Sequence, residues 1–257
     1  MNGLQGRTVV ITRARSQASP FARAVAARGA IPILFPTIDI RPLEECAGLD
    51  RTLRATGHYA WVVFTSVNTV AAVWERLSAM GTDAFAGSTR IAAVGPATAA
   101  ALAQRGLTVD AMPLQYRGAA LAGALGNLSG QRVLLPRADI GGEETGEALR
   151  AAGAVVDEVV AYHTRPAAPD PDGLAALGGR LDVVTFTSPS TVQNFLALVG
   201  PGAHDVLTRC LVACIGPVTA RAVTGLGLAA PLQPSRSTSD ALLDALETHF
   251  AAHAETA

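Results

Sequence analysis

Hydroxyl-bearing residues recur in this chain where an apolar run gives way to a helical pattern. Thr65-Ser66-Val67-Asn68 and Thr187-Ser188-Pro189-Ser190 each put hydroxyls at a helix start. Gly95-Pro96-Ala97-Thr98 and Gly216-Pro217-Val218-Thr219 do the same, with proline at the first helical position. Proline has no N–H to leave unpaired there, and glycine lets another group come close to the backbone. The free N–H groups of a first turn and the positive end of the helix dipole favour anions. Four such junctions can hold carboxylates or phosphates without a lysine. Capping alone accounts for any one of them. Thr98 and Thr219, however, stand beyond the cap, where capping does not need them. The candidate binding residues are therefore Thr65, Ser66, Asn68, Gly95 and Thr98, and then Thr187, Ser188, Ser190, Gly216 and Thr219.

Stronger chemistry is scarce. Arg13 and Arg137 each follow an apolar run, and either a ligand carboxylate or a surface salt bridge would suit them. Tyr162, in Val160-Ala161-Tyr162-His163-Thr164, would by itself be a packed tyrosine with its hydroxyl at the surface. The dinucleotide and P-loop glycine fingerprints and the GxSxG elbow are absent. His249 and His253, one turn apart, suit a solvated helix end better than half a metal site. Glu44-Glu45 and Glu143-Glu144 read as loop and first-turn acids. The 3 cysteines include no CxxC, and Cys210 and Cys214 read as small core residues of a strand. A net charge of −1 disfavours a dedicated nucleic-acid binder. The chain thus reads as a protein that binds an anionic ligand and positions it.

The elements that must carry these junctions occur twice. Arg13-Ala14, Gly29-Ala30 and Arg41-Pro42 return as Arg137-Ala138, Gly153-Ala154 and Arg165-Pro166, all 124 residues on. Phe64-Thr65-Ser66 returns 122 residues on as Phe186-Thr187-Ser188, and Val94-Gly95-Pro96 returns 121 residues on as Ile215-Gly216-Pro217. A slow drift of this kind marks a duplicated domain, and a small molecule held between two similar domains is the default expectation. Tyr162 breaks the symmetry, because Ile38 stands at its counterpart position. At 257 residues and 49% hydrophobic the chain can build two cores. Its apolar stretches are too short to span a membrane, and residues 1–7 contain no secretory apolar stretch, so a soluble cytoplasmic protein is expected.

Short apolar runs alternate with helical patterns. Strands are expected over 8–12, 31–35, 61–65, 90–94, 132–135, 155–160, 182–187 and 211–215. Ser19-Pro20 should open a helix that ends at Gly29, and further helices should start at Ser66, Pro96, Glu143, Pro189, Pro217 and near Asp240. Another is expected over 119–125. The alternation implies an α/β fold of two doubly wound, flavodoxin-like parallel-sheet domains, with ligands beyond the carboxyl ends of the strands.

Taken in order, Phe64-Thr65-Ser66-Val67-Asn68, Val94-Gly95-Pro96-Ala97-Thr98-Ala99, Arg132-Val133-Leu134-Leu135-Pro136-Arg137, Val159-Val160-Ala161-Tyr162, Phe186-Thr187-Ser188-Pro189-Ser190 and Ile215-Gly216-Pro217-Val218-Thr219-Ala220 resemble the uroporphyrinogen-III synthase family over nearly the full length. The resemblance implies a chain that starts one domain, builds the second and returns to finish the first. Domain 1 would be 1–37 plus 165–257 and domain 2 would be 38–164, joined by a two-stranded linker near 36–42 and 162–166. The implied substrate is hydroxymethylbilane, a linear tetrapyrrole with eight carboxylates. Loss of its terminal hydroxyl as water gives an azafulvene. Attack by ring D through its substituted carbon, then fragmentation and reclosure, gives uroporphyrinogen III with ring D inverted. No cofactor or metal is implied. Tyr162 would hydrogen-bond the leaving hydroxyl, and Thr98, Ser188 and Thr219 match polar positions of the family's cleft. Many bacterial relatives carry Arg where Glu143 follows Gly141-Gly142 here, so a carboxylate contact from that position is not expected. The implied protein is a monomer with no nucleic-acid or membrane partner, open to transient contact with the upstream deaminase. On the residues alone, a two-domain non-enzymatic binder of a small anion stays open. A sugar-nucleotide transferase would need a nucleotide-base or metal site, which nothing marks.

Overall fold

A computed structural model of the chain describes residues 3–82, 85, 88–115 and 118–254; Met1 and Asn2, ahead of the first strand, lie outside this range. The elements run β1 (Thr8–Ile11), α1 (Arg15–Ala27), β2 (Ile31–Leu34), β3 (Ile38–Arg41), α2 (Ala47–Arg54), β4 (Trp61–Phe64), α3 (Val67–Ala79), β5 (Arg90–Ala93), α4 (Pro96–Ala103) and α5 (Gly118–Ala124). They continue with β6 (Arg132–Ala138), α6 (Glu144–Ala151), β7 (Val155–Pro166), α7 (Pro171–Leu177), β8 (Val183–Phe186), α8 (Pro189–Val199), α9 (Ala203–Thr208), β9 (Leu211–Cys214), α10 (Pro217–Thr224) and α11 (Ser239–Ala254). The chain divides into two compact units. Unit 1 comprises Met1–Asp39 and Arg165–Ala257, and unit 2 comprises Ile40–Thr164.

Unit 1 is built on the sheet β2-β1-β8-β9, in which every neighbouring pair is parallel. Its strands are short and apolar on both faces, as strands covered by helices on both sides must be. Side chains alternate across the pleat. Val9, Ile11, Val183 and Ala213 pack with Phe21 of α1 and Leu242, Leu243 and Leu246 of α11. Val10, Val184, Phe186, Val212 and Cys214 face the other way, onto Val192 and Phe195 of α8 and Ala220 and Val223 of α10. Unit 2 repeats the scheme on the sheet β3-β7-β6-β4-β5, in which β7, β6, β4 and β5 run parallel. Val62, Phe64, Ile91, Ala93 and Leu134 pack on one side with Val70, Val73 and Leu77 of α3. Trp61, Val63, Ala92, Val133 and Leu135 pack on the other with Leu121 and Leu149.

Two local expectations need correction. Helix α1 starts at Arg15, so Pro20 lies inside it and not at its first position. Ala14, Ala18, Phe21 and Val25 form a buried helical stripe that begins ahead of Pro20, and burying it outweighs the hydrogen bond that an exposed proline leaves unmade. The helix still ends where glycine permits, at Gly29 with φ 78°. Strand β7, expected to stop at residue 160, runs on to Pro166. Its register with β6 slips by one residue, with Arg137 opposite Val160 and Ala138 opposite Tyr162. Such a bulge places two consecutive residues on one face, and Ala161 and Tyr162 both join the core beneath α3.

Candidate functional site

In each unit the candidate residues gather where strands hand over to helices. In unit 2, β4 ends at Phe64 and Ser66 caps α3, its Oγ accepting from Thr69 N–H at 3.1 Å. Thr65, Ser66 and Asn68 are half-buried at this turn. The adjacent strand β5 ends at Ala93, and Gly95 serves as the extended N-cap of α4, with Pro96 at the first helical position. Among the described residues no side chain caps α4, so its first N–H groups are not taken up by a capping hydroxyl. Thr98 faces inward at 5% exposure, and its hydroxyl bonds to none of the described residues.

Tyr162 reaches this junction from β7. It is 6% exposed and packed in the core of unit 2, and its hydroxyl lies 3.3 Å from Ser66 Oγ. Ser66 Oγ is also 3.0 Å from Thr69 Oγ1. A chain of three hydroxyls thus starts at the phenol and ends in the first turn of α3. Asp139 fixes the strand beyond it. Its Oδ1 accepts from Thr164 N–H at 2.8 Å, its Oδ2 lies 2.8 Å from His163 Nδ1, and its own N–H bonds Tyr162 O at 3.1 Å. Sequence reasoning passed over Asp139 and Thr69 because each acts on partners that only the fold brings near.

Unit 1 builds its set from β8, β9 and β1. Ser188 caps α8 in a capping box with Thr191, and its Oγ lies 2.8 Å from Ser190 Oγ. Thr187 and Ser190 are half-buried beside it. Gly216 is the extended N-cap of α10, again with no side-chain cap and with Pro217 at the first helical position. Thr219 is 3% exposed, and its hydroxyl, like that of Thr98, bonds to none of the described residues. Buried threonines tie the strand ends underneath. Thr12 Oγ1 donates to Thr185 O at 2.7 Å, Thr185 Oγ1 to Val10 O at 2.8 Å, and Thr37 Oγ1 to Thr12 O at 3.1 Å. Ser237 was not anticipated. A Cβ on Gly216 would fall 2.7 Å from its Oγ, so the loop leading to α11 lies close on this junction and a larger residue there would push the Ser237 hydroxyl aside.

The two arginines have different surroundings. Arg137 donates from Nε to Glu158 at 2.6 Å, and Arg150 holds the other oxygen of the same carboxylate at 2.7 Å. Arg13 stacks on Phe21, with its guanidinium carbon 4.2 Å from the ring centre. Its Nε and Nη2 are buried without a hydrogen-bond partner among the described residues, and burial pushes its pKa down to about 10, which leaves it cationic at neutral pH. Elsewhere, burial pushes Cys214 up to about 12 and Cys210 up to about 11, as befits packed thiols. The His249 and His253 rings stack 4.3 Å apart on the last helix. No group of three metal-ligating residues occurs, and no helix is long and apolar enough to cross a membrane, among the described residues.

The family profile for uroporphyrinogen-III synthase HemD matches residues 19–244. The chain is 35% identical to the uroporphyrinogen-III synthase of Synechococcus elongatus over 252 residues, which cover 95% of this chain and 96% of the relative. It is 29% identical to that of Chlorobaculum parvum, covering 89% of this chain and 93% of that one. In fold it is similar to a mutant uroporphyrinogen III synthase from the extremely thermophilic bacterium Thermus thermophilus, with a TM-score of 0.64 at 21% identity over 97% of this chain and 100% of the other. The Helicobacter pylori uroporphyrinogen-III synthetase gives a TM-score of 0.60 at 17% identity, covering 93% of this chain and 97% of that one. With the profile spanning most of its length and a relative matched nearly end to end, the chain belongs to the uroporphyrinogen-III synthase family.

Proposed function

We propose that Tyr162, backed by Ser66, donates the hydrogen bond that helps the terminal hydroxyl of hydroxymethylbilane to leave. As a member of its family the chain is an enzyme that cyclises this substrate in tetrapyrrole biosynthesis. The observation that carries the proposal is the 3.3 Å contact between the Tyr162 and Ser66 hydroxyls at the start of α3. A phenol O–H can donate a hydrogen bond to a leaving oxygen. Ser66 can supply its own proton to the phenol oxygen, which leaves the phenol O–H free to point at the departing hydroxyl. Loss of water makes the azafulvene, an electrophile that needs no further activation. What remains is to fold the chain so that ring D attacks through its substituted carbon, which is a matter of positioning. The uncapped first turns of α4 and α10, with Thr98 and Thr219 beside them, are suited to the substrate's carboxylates. Ser188, Ser190, Thr187, Thr65 and Asn68 add neutral donors.

The finer organisation belongs to the same proposal. We read the chain as two copies of one α/β domain, 1–37 with 165–257 and 38–164, joined near 36–42 and 162–166. The unit boundaries at Asp39 and Thr164 support this. So do the strand registers. Ile11 opposite Leu34 and Leu135 opposite Glu158 stand 124 residues apart at both positions. Trp61 opposite Arg90 matches Val183 opposite Leu211 at the drifted spacing. We further propose a cytoplasmic monomer, in keeping with the absence of a membrane-spanning helix among the described residues. Transient contact with the deaminase that makes hydroxymethylbilane would spare an unstable substrate from closing by itself.

The test is Tyr162→Phe, assayed by turnover and by the isomers of the oxidised product. Turnover should fall roughly tenfold to a hundredfold, the low end for a positioned acid because this leaving group departs unaided. The product should stay mostly type III. Wild-type turnover would remove Tyr162 from the chemistry, and a shift to type I product would make it a director of closure instead.

A further inference from the structure

We infer that Arg13 is the charged carboxylate anchor of unit 1, the one arginine at the candidate positions with no acid on it among the described residues, so that it can take a substrate carboxylate. The inference deepens the reading of the substrate as a polycarboxylate and rests on it. A buried cation without a partner is costly, and a chain selected only for stability would replace it with an apolar side chain. Nothing about the type of site forbids a pair. Arg7 has the same stacked geometry, 4.7 Å from the centre of the Phe250 ring, and it also has Asp182 at 2.8 Å. Arg13 lies over Phe21 in the same way with no acid on it among the described residues. The position opposite Ile11 on β2, where an acid could reach it, is Leu34. At the corresponding place in unit 2, opposite Leu135, stands Glu158, which occupies Arg137.

The surroundings suit a carboxylate. Stacking on Phe21 fixes the guanidinium plane and leaves its edge to make paired N–H···O bonds. The residue as a whole is half-buried while Nε and Nη2 are closed off from solvent, so the guanidinium is shielded from bulk water. Arg13 follows β1 at the carboxyl end of the sheet, the end that also carries Ser188 and Thr219. Phe21 packs in one cluster with Leu242 and Leu243 of α11, whose first turn is held by Thr238 and follows directly on Ser237 at the Gly216 junction.

Arg13→Met and Arg13→Lys test this against Arg7→Met, which removes a stacked arginine already paired with an acid. Steady-state rates with hydroxymethylbilane, thermal unfolding, and fluorescence titration with uroporphyrin III, an octacarboxylate that needs no turnover, are the readouts. Arg13→Met should raise KM and the Kd for uroporphyrin III tenfold to a hundredfold, the range of one hydrogen bond to a charged group. Its kcat should stay within about threefold and its Tm should hold or rise, because a buried unpaired charge has gone. Arg13→Lys should recover part of the affinity. Arg7→Met should do the reverse, lowering Tm while KM stays put. Unchanged KM and Kd in Arg13→Met, or a Tm that falls as that of Arg7→Met does, would overturn the anchor. A wild-type protein that binds uroporphyrin III through Arg13 but closes only to type I product would sink the reaction and leave the anchor standing.

Discussion

Strand β1 of unit 1 and strand β6 of unit 2 lead to the same residue type and spend it differently. Arg137 is tied to Glu158, which Arg150 also holds. Arg13 has a phenyl face beneath it and no acid among the described residues. One position on the neighbouring strand, Leu34 against Glu158, separates the two outcomes. The hydroxyl sets diverge as well. In unit 2 the capping Ser66 turns to a tyrosine from β7, whereas in unit 1 Ser188 turns to Ser190 and Thr191 of its own helix. Two similar frames thus carry unlike groups at their strand ends. Unit 1 offers a cation and neutral hydroxyls, and unit 2 offers a phenol with a hydroxyl behind it. Two sheets built on one scheme can differ in this way because strands and caps are fixed by burial, while one substitution at a strand end leaves the frame untouched.

The largest expected effect tests whether the frames are also energetically separate. Phe186 and Phe64 end the corresponding strands β8 and β4 and are fully buried. Phe186 meets Phe195 edge-on at 5.5 Å, whereas Phe64 has only a tilted contact with Phe85 at 6.1 Å. Phe186→Ala should cost about 3–5 kcal/mol, and Phe64→Ala should fall at the lower end of that range. Both tryptophans, Trp61 and Trp74, lie in unit 2. In urea, Phe186→Ala should therefore lower the far-UV dichroism midpoint while the tryptophan midpoint stays near wild type. A tryptophan transition that falls in step would mean that the units unfold as one.

A smaller effect separates the ways the two sheets are tied at their other end. Asp182 accepts from Thr8 N–H at 2.9 Å, from Arg7 at 2.8 Å, from the Thr8 hydroxyl at 3.1 Å and from Arg180 at 3.2 Å. Burial raises its pKa, but these bonds outweigh it and hold the carboxyl below its ordinary value of 3.8. Its counterpart in unit 2 is Ala60; there Asp157 joins Arg132 at 2.5 Å and Tyr59 at 2.8 Å instead. A carboxyl whose pKa is lowered on folding stabilises the protein above its unfolded pKa, and that contribution fades as pH falls through the folded value. Asp182→Asn should cost about 1.5–3 kcal/mol at neutral pH. The difference from wild type should shrink below pH 3.8 and leave the tryptophan transition alone. A deficit that persists undiminished in acid would assign the effect to packing.

How much of this could be read from the chain follows from what is local. Pro189 and Pro217 announce helix starts by themselves, and α8 and α10 begin on them. The alternation of apolar runs with helical stripes carried the α/β parallel-sheet class. Pro20 misled, since its rule is local and the stripe from Ala14 to Val25 that overrides it is a tertiary matter. Helix α2 was missed because Cys46 offers no cap and only Leu49 and Leu53 signal its apolar face. The junction residues were visible, but their partners were not. Ser66 and Tyr162 are separated by most of unit 2 and meet only because a bulge opposite Arg137 turns Tyr162 inward. Ser237 sits in a polar stretch with no period, and only its closeness to Gly216 marks it.

The smallest effect on stability belongs to the residues that the two units share most closely. Thr98 and Thr219 occupy the same place in α4 and α10, both nearly buried, and neither hydroxyl bonds to a described residue. Thr185 is just as buried, but its hydroxyl donates to Val10 O at 2.8 Å. Replacing each by valine keeps the shape and removes one hydroxyl. Thr185→Val should therefore lose about 1 kcal/mol, the ordinary worth of an internal hydrogen bond. Thr98→Val and Thr219→Val should stay within about 0.5 kcal/mol of wild type, since no internal bond is broken. If the two threonines are kept for the substrate, KM should rise by about tenfold or more in each, with Tm unmoved. Chemical denaturation and steady-state kinetics on the three variants decide between binding and structure. A rise confined to one variant would assign substrate contact to that threonine alone, and would show that the divergence seen at Arg13 and Arg137 extends to the helix starts. Unchanged KM in both would return the threonines to packing and leave the carboxylates to Arg13 and the free helix turns.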